Sequence, residues 1–249
     1  NSIDESVTIG TLADCSVVAT KDLVATVKIV PLSVPGNVMS VAESVIRQSG
    51  SPFVLHPFQH LKVGLVVTEL PGLKDSVIDK TIAVTEQRVV GLTGSLLPPV
   101  RCHHDEDAVA RAMERLLDDG ADLLLTIGAS AVVDRRDVGP AGIVRAGGEI
   151  VHFGMPVDPG NLICLGRLRD KPALVLPGCA RSPVLNGIDF VLSRLFAGLS
   201  VTATDIMKMG VGGLLKEPEA ARPLPREKAP ATVRSGAEPR SAPTIAAVV

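Results

Sequence analysis

The chain has 249 residues, of which 46% are apolar and 21% are charged, and its mean hydropathy is +0.33. This composition is typical of a globular protein with a large core and excludes a chain that is disordered throughout. The net charge of −2 and the lack of any Trp or Tyr argue against nucleic acid as a partner, and no apolar run reaches the roughly 18 residues that span a membrane.

The first 60 residues predict a small α+β subdomain. Apolar and polar residues alternate over 23–31 as in a strand, and 37–48 has the spacing of a short helix. No signal peptide is present, the four cysteines are widely spaced as in reduced cytosolic proteins, and an initiator Met is lacking. We therefore expect a cytoplasmic protein whose sequence is truncated at its start.

Strand and helix patterns alternate from residue 61 to residue 215. Apolar runs predict strands over 63–67, 95–100, 121–127, 149–155, 162–167 and 173–176. Helical spacing predicts a helix that ends near Gly91, one from Asp105 to Gly120, one over 139–146 and one that begins at Ser182 and Pro183. This alternation predicts an α/β fold, with a doubly wound, mostly parallel sheet and helices on both faces.

The end of the chain has a different composition. Residues 216–242 contain five prolines and few apolar side chains, so burial cannot offset the entropy of ordering them. We expect 216–249 to be a flexible Pro/Ala/Arg-rich linker or tail. A linker would lead to a further module, whereas a disordered tail is the simpler alternative.

In a doubly wound sheet, ligands bind beyond the carboxyl ends of the strands. The loop over 128–140 follows a predicted buried strand and begins with the small residues Gly128, Ala129 and Ser130, which let backbone N–H groups approach a ligand. It continues with two cations and two anions at 134–137, where arginine suits phosphate and a carboxylate suits the amidine-like edge of a pterin or guanine. Alternatively, these charges pair with one another in a solvated loop.

Two further loops follow predicted strands. Arg181 and the hydroxyl of Ser182 stand at a predicted helix start, which is an anion site or an ordinary turn. Lys74 and Asp75 flank another helix start, where ordinary capping is the alternative.

Other sequence patterns give little evidence for a metal site, a nucleotide-binding site or a hydrolase site. Residues 102–105 (Cys-His-His-Asp) contain metal-ligating atoms, but adjacent positions rarely converge on one ion. No G-x-G-x-x-G follows the first sheet strand and no phosphate-binding G-x-x-x-x-G-K-[ST] is present, so a dinucleotide fold is not expected. Ser182 lacks the G-x-S-x-G context of a hydrolase nucleophile.

Four short motifs occur in a distinctive order. They are His-Asp-Glu at 104–106, Thr-Ile-Gly-Ala-Ser at 126–130 leading to Asp137, Pro-Gly at 159–160 and Leu-Pro-Gly-Cys-Ala at 176–180. In this order they resemble the molybdopterin-binding domain of molybdenum cofactor biosynthesis proteins, which include molybdopterin adenylyltransferase, molybdopterin molybdotransferase and gephyrin. The resemblance covers about residues 61–198. The segments LPGLKDSVIDKT and HFGMPVDPGNL look closest to a subgroup fused to a C-terminal nucleotidyltransferase domain.

The resemblance implies a molybdopterin-binding domain that acts in molybdenum cofactor biosynthesis and binds the phosphorylated pterin at loops after parallel strands. It implies that Asp105 and Asp137 act on the pterin side as catalytic residues or hold Mg²⁺. The implied pterin-binding residues are Thr126, Gly128, Ala129, Ser130, Asp134, Arg136, Pro159, Gly160, Pro177, Gly178, Arg181 and Ser182.

Several alternatives stay open beside this function. The domain could be a Mg²⁺-dependent adenylyl- or molybdotransferase that uses ATP or molybdate, or a non-catalytic oligomerisation scaffold for a nucleotidyltransferase domain. Pyridine-nucleotide hydrolysis is a further alternative, because related domains occur in nucleotide-recycling proteins. Relatives form homo-oligomers, so a dimer or trimer is expected.

The sequence departs from the family pattern at three positions. Ala129 replaces a glycine, Asp158 replaces a frequent lysine and Ala180 replaces a proline. The added Cβ of Ala129 narrows the approach to the backbone, and Asp158 replaces a phosphate-binding cation. The resemblance therefore implies binding more firmly than it implies catalysis.

Overall fold

The computed structural model describes residues 3–51, 53–215 and 244–248. The described residues fall into two compact units, one of residues 3–51 and 53–58 with 244–248, and one of residues 59–215. The elements in chain order are β1 (Val7–Thr11), β2 (Ser16–Val18), β3 (Ala25–Ile29), α1 (Gly36–Ser49), β4 (Phe53–Pro57), β5 (Lys62–Glu69), α2 (Asp75–Gly91), β6 (Ser95–Leu96), β7 (Val100–His103), α3 (Glu106–Asp118), β8 (Leu123–Ile127), α4 (Val138–Arg145), β9 (Glu149–Phe153), β10 (Cys164–Leu168), β11 (Lys171–Leu176), α5 (Gly187–Phe196), α6 (Ala203–Lys208) and β12 (Thr244–Val248).

The first unit combines helix α1 with two small sheets. Strands β1 and β3 pair in antiparallel fashion, and β12 pairs with β2 on one side and with β4 on the other. Strand β12 lies within the predicted tail, so at 244–248 the tail is a strand that the sequence analysis does not anticipate. The predicted linker over 216–243 lies outside the described residues.

The second unit is built on a seven-stranded sheet with the order β6-β5-β8-β11-β10-β9, in which β7 also pairs with β5. Strands β6, β7 and β8 run parallel to β5, and β11 runs parallel to β8. Strand β10 is antiparallel to both β11 and β9. The predicted mostly parallel α/β sheet is therefore confirmed.

The core of this unit fills both faces of the sheet. On one face, Val66 and Leu124 pack with side chains of α3 and α4, among them Met113 and Ile143. Successive residues of a strand point to opposite faces of the sheet, so Leu65, which precedes Val66, lies on the other face. Leu65 is also fully buried. Both faces of the sheet are therefore covered, as a doubly wound sheet requires.

Two predicted elements differ from the structure. The predicted strand over 95–100 is two short strands, because Pro98 and Pro99 between β6 and β7 have no N–H group to donate to a neighbouring strand. The helix predicted to begin at Ser182 and Pro183 is wrong at its start, since α5 begins at Gly187.

Within the described residues, none of the helices combines the length and the apolar character that crossing a membrane would require.

Candidate functional site

The loops that follow the parallel strands β5, β7, β8 and β11 lie at one edge of the sheet. Thr68 near the end of β5 lies beside Cys102 of β7, and Ile127 at the end of β8 lies beside both Val67 of β5 and Leu176 of β11. The residues that follow these strands therefore meet at the carboxyl edge, where a doubly wound sheet binds its ligands. We call this the carboxyl edge below.

A chain of hydrogen bonds joins three of these loops. The Oγ1 atom of Thr68 accepts a hydrogen bond from the backbone N–H of Ala129 at 2.8 Å and lies 2.8 Å from Nδ1 of His104. On the other side of the imidazole ring, Nε2 lies 2.8 Å from Oγ of Ser130. Thr68 is buried, His104 is half-buried and Ser130 is exposed, so the chain runs from the interior to the surface.

Arg181 joins the fourth loop to the same place. Its Nη2 atom donates a 2.6 Å hydrogen bond to the carbonyl oxygen of Gly128. Its Nε atom is shielded from solvent and has no hydrogen-bond partner among the described residues. Burial lowers the pKa of the guanidinium, although arginine stays charged in proteins. Arg181 is therefore a half-buried cation, and no carboxylate of the described residues forms an ion pair with it.

The loop that carries Arg181 is held by Arg88 of α2. The side chain of Arg88 donates to the carbonyl oxygens of Ala180 at 2.7 Å and Ser182 at 2.6 Å, and to Oδ1 of Asp189 at 2.8 Å. A short 3₁₀ turn, Gly178–Arg181, precedes this contact and places Arg181 at the edge.

Both predicted catalytic carboxylates lie at the start of a helix, but only that of Asp105 caps the helix with its side chain. Oδ1 of Asp105 accepts from the N–H of Ala108 in the first turn of α3, and Oδ2 of Asp137 accepts from the N–H groups of Val133 and Asp134 ahead of α4. Among the described residues, no group of three or more His, Cys, Asp or Glu could hold a metal ion. Each carboxylate keeps one oxygen that makes no hydrogen bond to the described residues.

The charged residues of the 128–140 loop partly pair with one another. The backbone N–H and Nε of Arg136 both donate to Oδ1 of Asp134, at 2.8 and 3.2 Å. These hydrogen bonds, from the backbone N–H first, lower the pKa of Asp134. For Asp134 and Arg136, this pairing agrees with the alternative in which the charges of a solvated loop pair with one another. The side chain of Arg136 is nevertheless exposed and could contact a ligand.

The predicted binding residues Pro159 and Gly160 contact the start of α5. The carbonyl oxygen of Pro159 accepts from the N–H of Gly187 at 2.8 Å. Gly160 has a φ of +129°, and a Cβ there would lie 2.5 Å from the nitrogen of Gly187. A packing requirement thus accounts for this glycine.

The remaining predicted residues are distributed around the same loops. Thr126 is fully buried in β8, and its hydroxyl has no hydrogen-bond partner among the described residues. Pro177 and Gly178 begin the 3₁₀ turn. Ser182 does not cap a helix, since its Oγ accepts from the N–H of Val184 at 3.3 Å in a bend that precedes α5.

Charged residues surround the end of β5 as well. Arg101 of β7 pairs with Glu69 and, at 2.6 Å, with Asp75 at the start of α2. These two hydrogen bonds raise the pKa of Arg101. Next to it, burial, then the charges of Glu69 and Asp105, raise the pKa of the Cys102 thiol to about 11, so Cys102 is protonated and unreactive at neutral pH.

A groove of about 410 Å³ lies at the opposite, amino edge of the sheet. Its lining includes Asp122, Lys171 and Arg167 with apolar residues such as Leu199. The predicted site residues do not line this groove. The carboxyl edge is identified by its hydrogen bonds and by a cation that has no carboxylate partner among the described residues.

Sequence reasoning did not single out Thr68, His104 or Arg88 as site residues. His104 occupies the first position of the His-Asp-Glu motif, and Thr68 directly follows the predicted strand over 63–67, so the sequence places both beside predicted features. Arg88 lies within the pattern of α2, and its partners are about 90 to 100 residues away in sequence. Local patterns carry no information on such contacts.

Neither a protein-family model nor a curated protein matches the chain. Among solved structures, it is similar to the molybdopterin biosynthesis MoeA protein from Pyrococcus horikosii, with 20% identity over 56% of this chain and a TM-score of 0.40. It is also similar to the tungsten cofactor synthesizing protein MoaB from Pyrococcus furiosus, with 18% identity over 55% of this chain and a TM-score of 0.38. The matches cover 35% of the first protein's chain and 94% of the second's.

Proposed function

We propose that this protein binds a phosphorylated pterin, molybdopterin, at the carboxyl edge and acts in molybdenum cofactor biosynthesis. The observation that carries this proposal is Arg181, a half-buried cation without a carboxylate partner among the described residues. A buried charge is costly unless it is paired, and a phosphate group would supply the missing opposite charge with a matching fork of hydrogen bonds. The family resemblance adds the pterin, because its motifs lie in these same loops.

The residues of the loop after β8 would share the binding of this ligand. Gly128 and Ser130 would bring backbone and hydroxyl groups to the phosphate, next to Arg181, while Ala129, whose N–H is donated to Thr68, would hold the loop in place. Asp134 would accept hydrogen bonds from the pterin edge, once its contact with Arg136 is exchanged for the ligand. Pro159, Gly160 and Pro177 would shape the site through packing and not through direct contact.

In this proposal, Asp105 and Asp137 would hold Mg²⁺ in a supporting role. Mg²⁺ is commonly held by one or two carboxylates together with phosphate oxygens and waters, and each of these residues keeps one oxygen that makes no hydrogen bond to the described residues. A bound Mg²⁺ would neutralise phosphate charge beside Arg181. Adenylyl or molybdate transfer would need that ion and ATP or molybdate in addition, so binding is the function that we propose first.

The test is to purify the chain from cells that make molybdopterin and to measure the fluorescence of the oxidised pterin that is released. We expect the wild type to retain pterin and Arg181→Ala to retain at least about tenfold less, since a charge-assisted hydrogen bond contributes about 1.5–3 kcal/mol. Arg181→Lys should lie between them, because it keeps the charge but loses the fork.

The matched control is Arg115→Ala, which removes an exposed guanidinium near the end of α3, away from the carboxyl edge. It should retain as much pterin as the wild type. Wild-type protein without any pterin, or equal retention by Arg181→Ala, would overturn the proposed function.

A further inference from the structure

The hydrogen-bond chain Thr68–His104–Ser130 has a direction that follows from counting protons. The oxygen of Thr68 already accepts the N–H of Ala129, and Thr68 is 1% exposed. Its own hydroxyl proton therefore needs an acceptor inside the protein. Among the described residues, the acceptor within reach is Nδ1 of His104 at 2.8 Å. Thr68 thus donates to His104.

This assignment fixes the proton on the imidazole ring. A neutral histidine carries one N–H and one acceptor nitrogen, so an Nδ1 atom that accepts from Thr68 leaves the proton on Nε2. That N–H points to Oγ of Ser130 at 2.8 Å, and the oxygen of Ser130 accepts it. The hydroxyl proton of Ser130, an exposed residue, is then free to point toward solvent or a ligand.

We propose that Thr68 and His104 form a directed relay that presents Ser130 as a hydrogen-bond donor to an oxyanion, namely a phosphate monoester. Successive hydrogen bonds in such a chain polarise one another and strengthen the last donor. Arg181 supplies the opposite charge at the neighbouring carbonyl of Gly128. His104 is accordingly a positioning residue, since it acts on the ligand through Ser130.

The same assignment excludes a different role for the pair. A serine nucleophile needs a histidine nitrogen that accepts the hydroxyl proton, and the Nε2 atom of His104 already carries one. The Ser130–His104 contact is therefore part of a binding site and not a catalytic dyad. This inference rests on the proposed function only in that both place a phosphate at the carboxyl edge.

The first test reads the tautomer directly. The ¹⁵N-labelled full chain without ligand is examined by long-range ¹H–¹⁵N NMR at about pH 8, where an ordinary histidine is neutral. The signals of His104 are assigned by their loss in His104→Gln. We expect the proton on Nε2, whereas an Nδ1–H tautomer overturns the relay.

The second test uses inorganic phosphate as the probe, titrated calorimetrically into the full chain. Ser130→Ala and His104→Phe should each weaken binding about tenfold, and the double variant should be no weaker than either, because both remove one donor. His104→Gln should recover most of the affinity, since its amide N–H can replace Nε2–H. His103→Phe, at an exposed neighbouring position, is the control and should bind as the wild type does.

Phosphate binding that is absent in the wild type, or unaffected by His104→Phe, overturns the inference. Covalent labelling of Ser130 by a fluorophosphonate probe also overturns it, because labelling requires an accepting Nε2. A chain that binds phosphate through the relay but retains no pterin would refute the proposed function alone.

Discussion

The guanidinium of Arg88 connects α2 to the segment that carries Arg181 through hydrogen bonds to its backbone carbonyls. Its side chain is 10% exposed and meets two backbone carbonyls at 2.6–2.7 Å together with Asp189 at 2.8 Å. When one partner of a buried ion pair is removed, the other charge stays buried without an opposite charge, which destabilises the fold. The position of Arg181 thus depends on a residue outside the site.

We predict that Arg88→Ala lowers the free energy of unfolding by about 3 kcal/mol, because the Asp189 carboxylate and the carbonyls of Ala180 and Ser182 lose their donor. Urea denaturation followed by circular dichroism measures this change. Arg115→Ala, which removes an exposed pair, should change stability by less than about 0.5 kcal/mol. An Arg88→Ala variant as stable as the Arg115→Ala variant would contradict the assigned role.

Single residues were predictable from the sequence where their effect is local. The acidic run at 105–107 predicts a helix start, and the structure has Asp105 as the N-cap of α3. Gly120 is predicted to end that helix, and it adopts a φ of +90° there. The contact between Thr68 and His104 spans 36 residues, and no local rule predicts it.

At the scale of elements, the start of α5 shows how side-chain capping overrides a plausible pattern. Ser182 and Pro183 have the residue types of an N-cap and a first helical position, but the carbonyl of Ser182 is bound by Arg88. Asn186 caps α5 instead, and Asp189 completes a capping box through the N–H of Asn186. Asp189 of this capping box also forms an ion pair with Arg88. The cap of α5 and the contacts of Arg88 therefore stabilise each other.

The capping assignment predicts losses of stability of different size for two similar substitutions. Asn186→Ala should lower the free energy of unfolding by about 2 kcal/mol, because Asn186 is buried and its side chain accepts from Ile188. Ser182→Ala should cost less than about 0.5 kcal/mol, since its Oγ accepts one bond of 3.3 Å. Thermal unfolding of the two variants compares them, and a larger loss for Ser182→Ala would refute the assignment.

The strands were predicted well where apolar runs are continuous and poorly where proline interrupts them. The run Leu-Leu-Leu-Thr-Ile at 123–127 is fully buried and forms β8, as predicted. The run at 95–100 was predicted as one strand, but Pro98 and Pro99 divide it into β6 and β7. This division moves the end of β7 to His103 and so places His104 at the carboxyl edge.

At the scale of the whole sheet in the second unit, the two edges differ in kind. The carboxyl edge carries Arg181 and the relay, and its location follows from the strand order, which could be anticipated from alternating strands and helices. The groove at the amino edge was not anticipated, because it depends on the hairpin of β10 and β11. In the lining of this groove, Asp122 directly precedes β8 and connects it to β5 and β11, since it accepts from the N–H of Lys62 at 3.1 Å and from Nζ of Lys171 at 3.1 Å.

These contacts at the amino edge predict an acid-dependent part of the stability. Burial raises the pKa of Asp122, but the hydrogen bonds from Lys62 and Lys171 outweigh it and leave the pKa below its usual value. A carboxyl group with a lowered folded-state pKa stabilises the fold above its unfolded pKa of about 3.9, and this contribution is lost as the pH falls through the folded-state pKa. The side chains of Asp122 and Lys171 are 36% and 45% exposed, so solvent screening limits the contribution to about 0.5–1 kcal/mol.

We therefore expect Asp122→Asn to be less stable than the wild type by that amount at neutral pH, and the two proteins to converge below about pH 4. Urea denaturation at a series of pH values measures the difference. Asp119→Asn, which alters a longer and more exposed contact with Arg115, should show a smaller difference at neutral pH. A stability gap for Asp122→Asn that stays constant or grows on acidification would contradict the role of this carboxylate, because protonation of the wild-type residue must abolish its ion pair with Lys171.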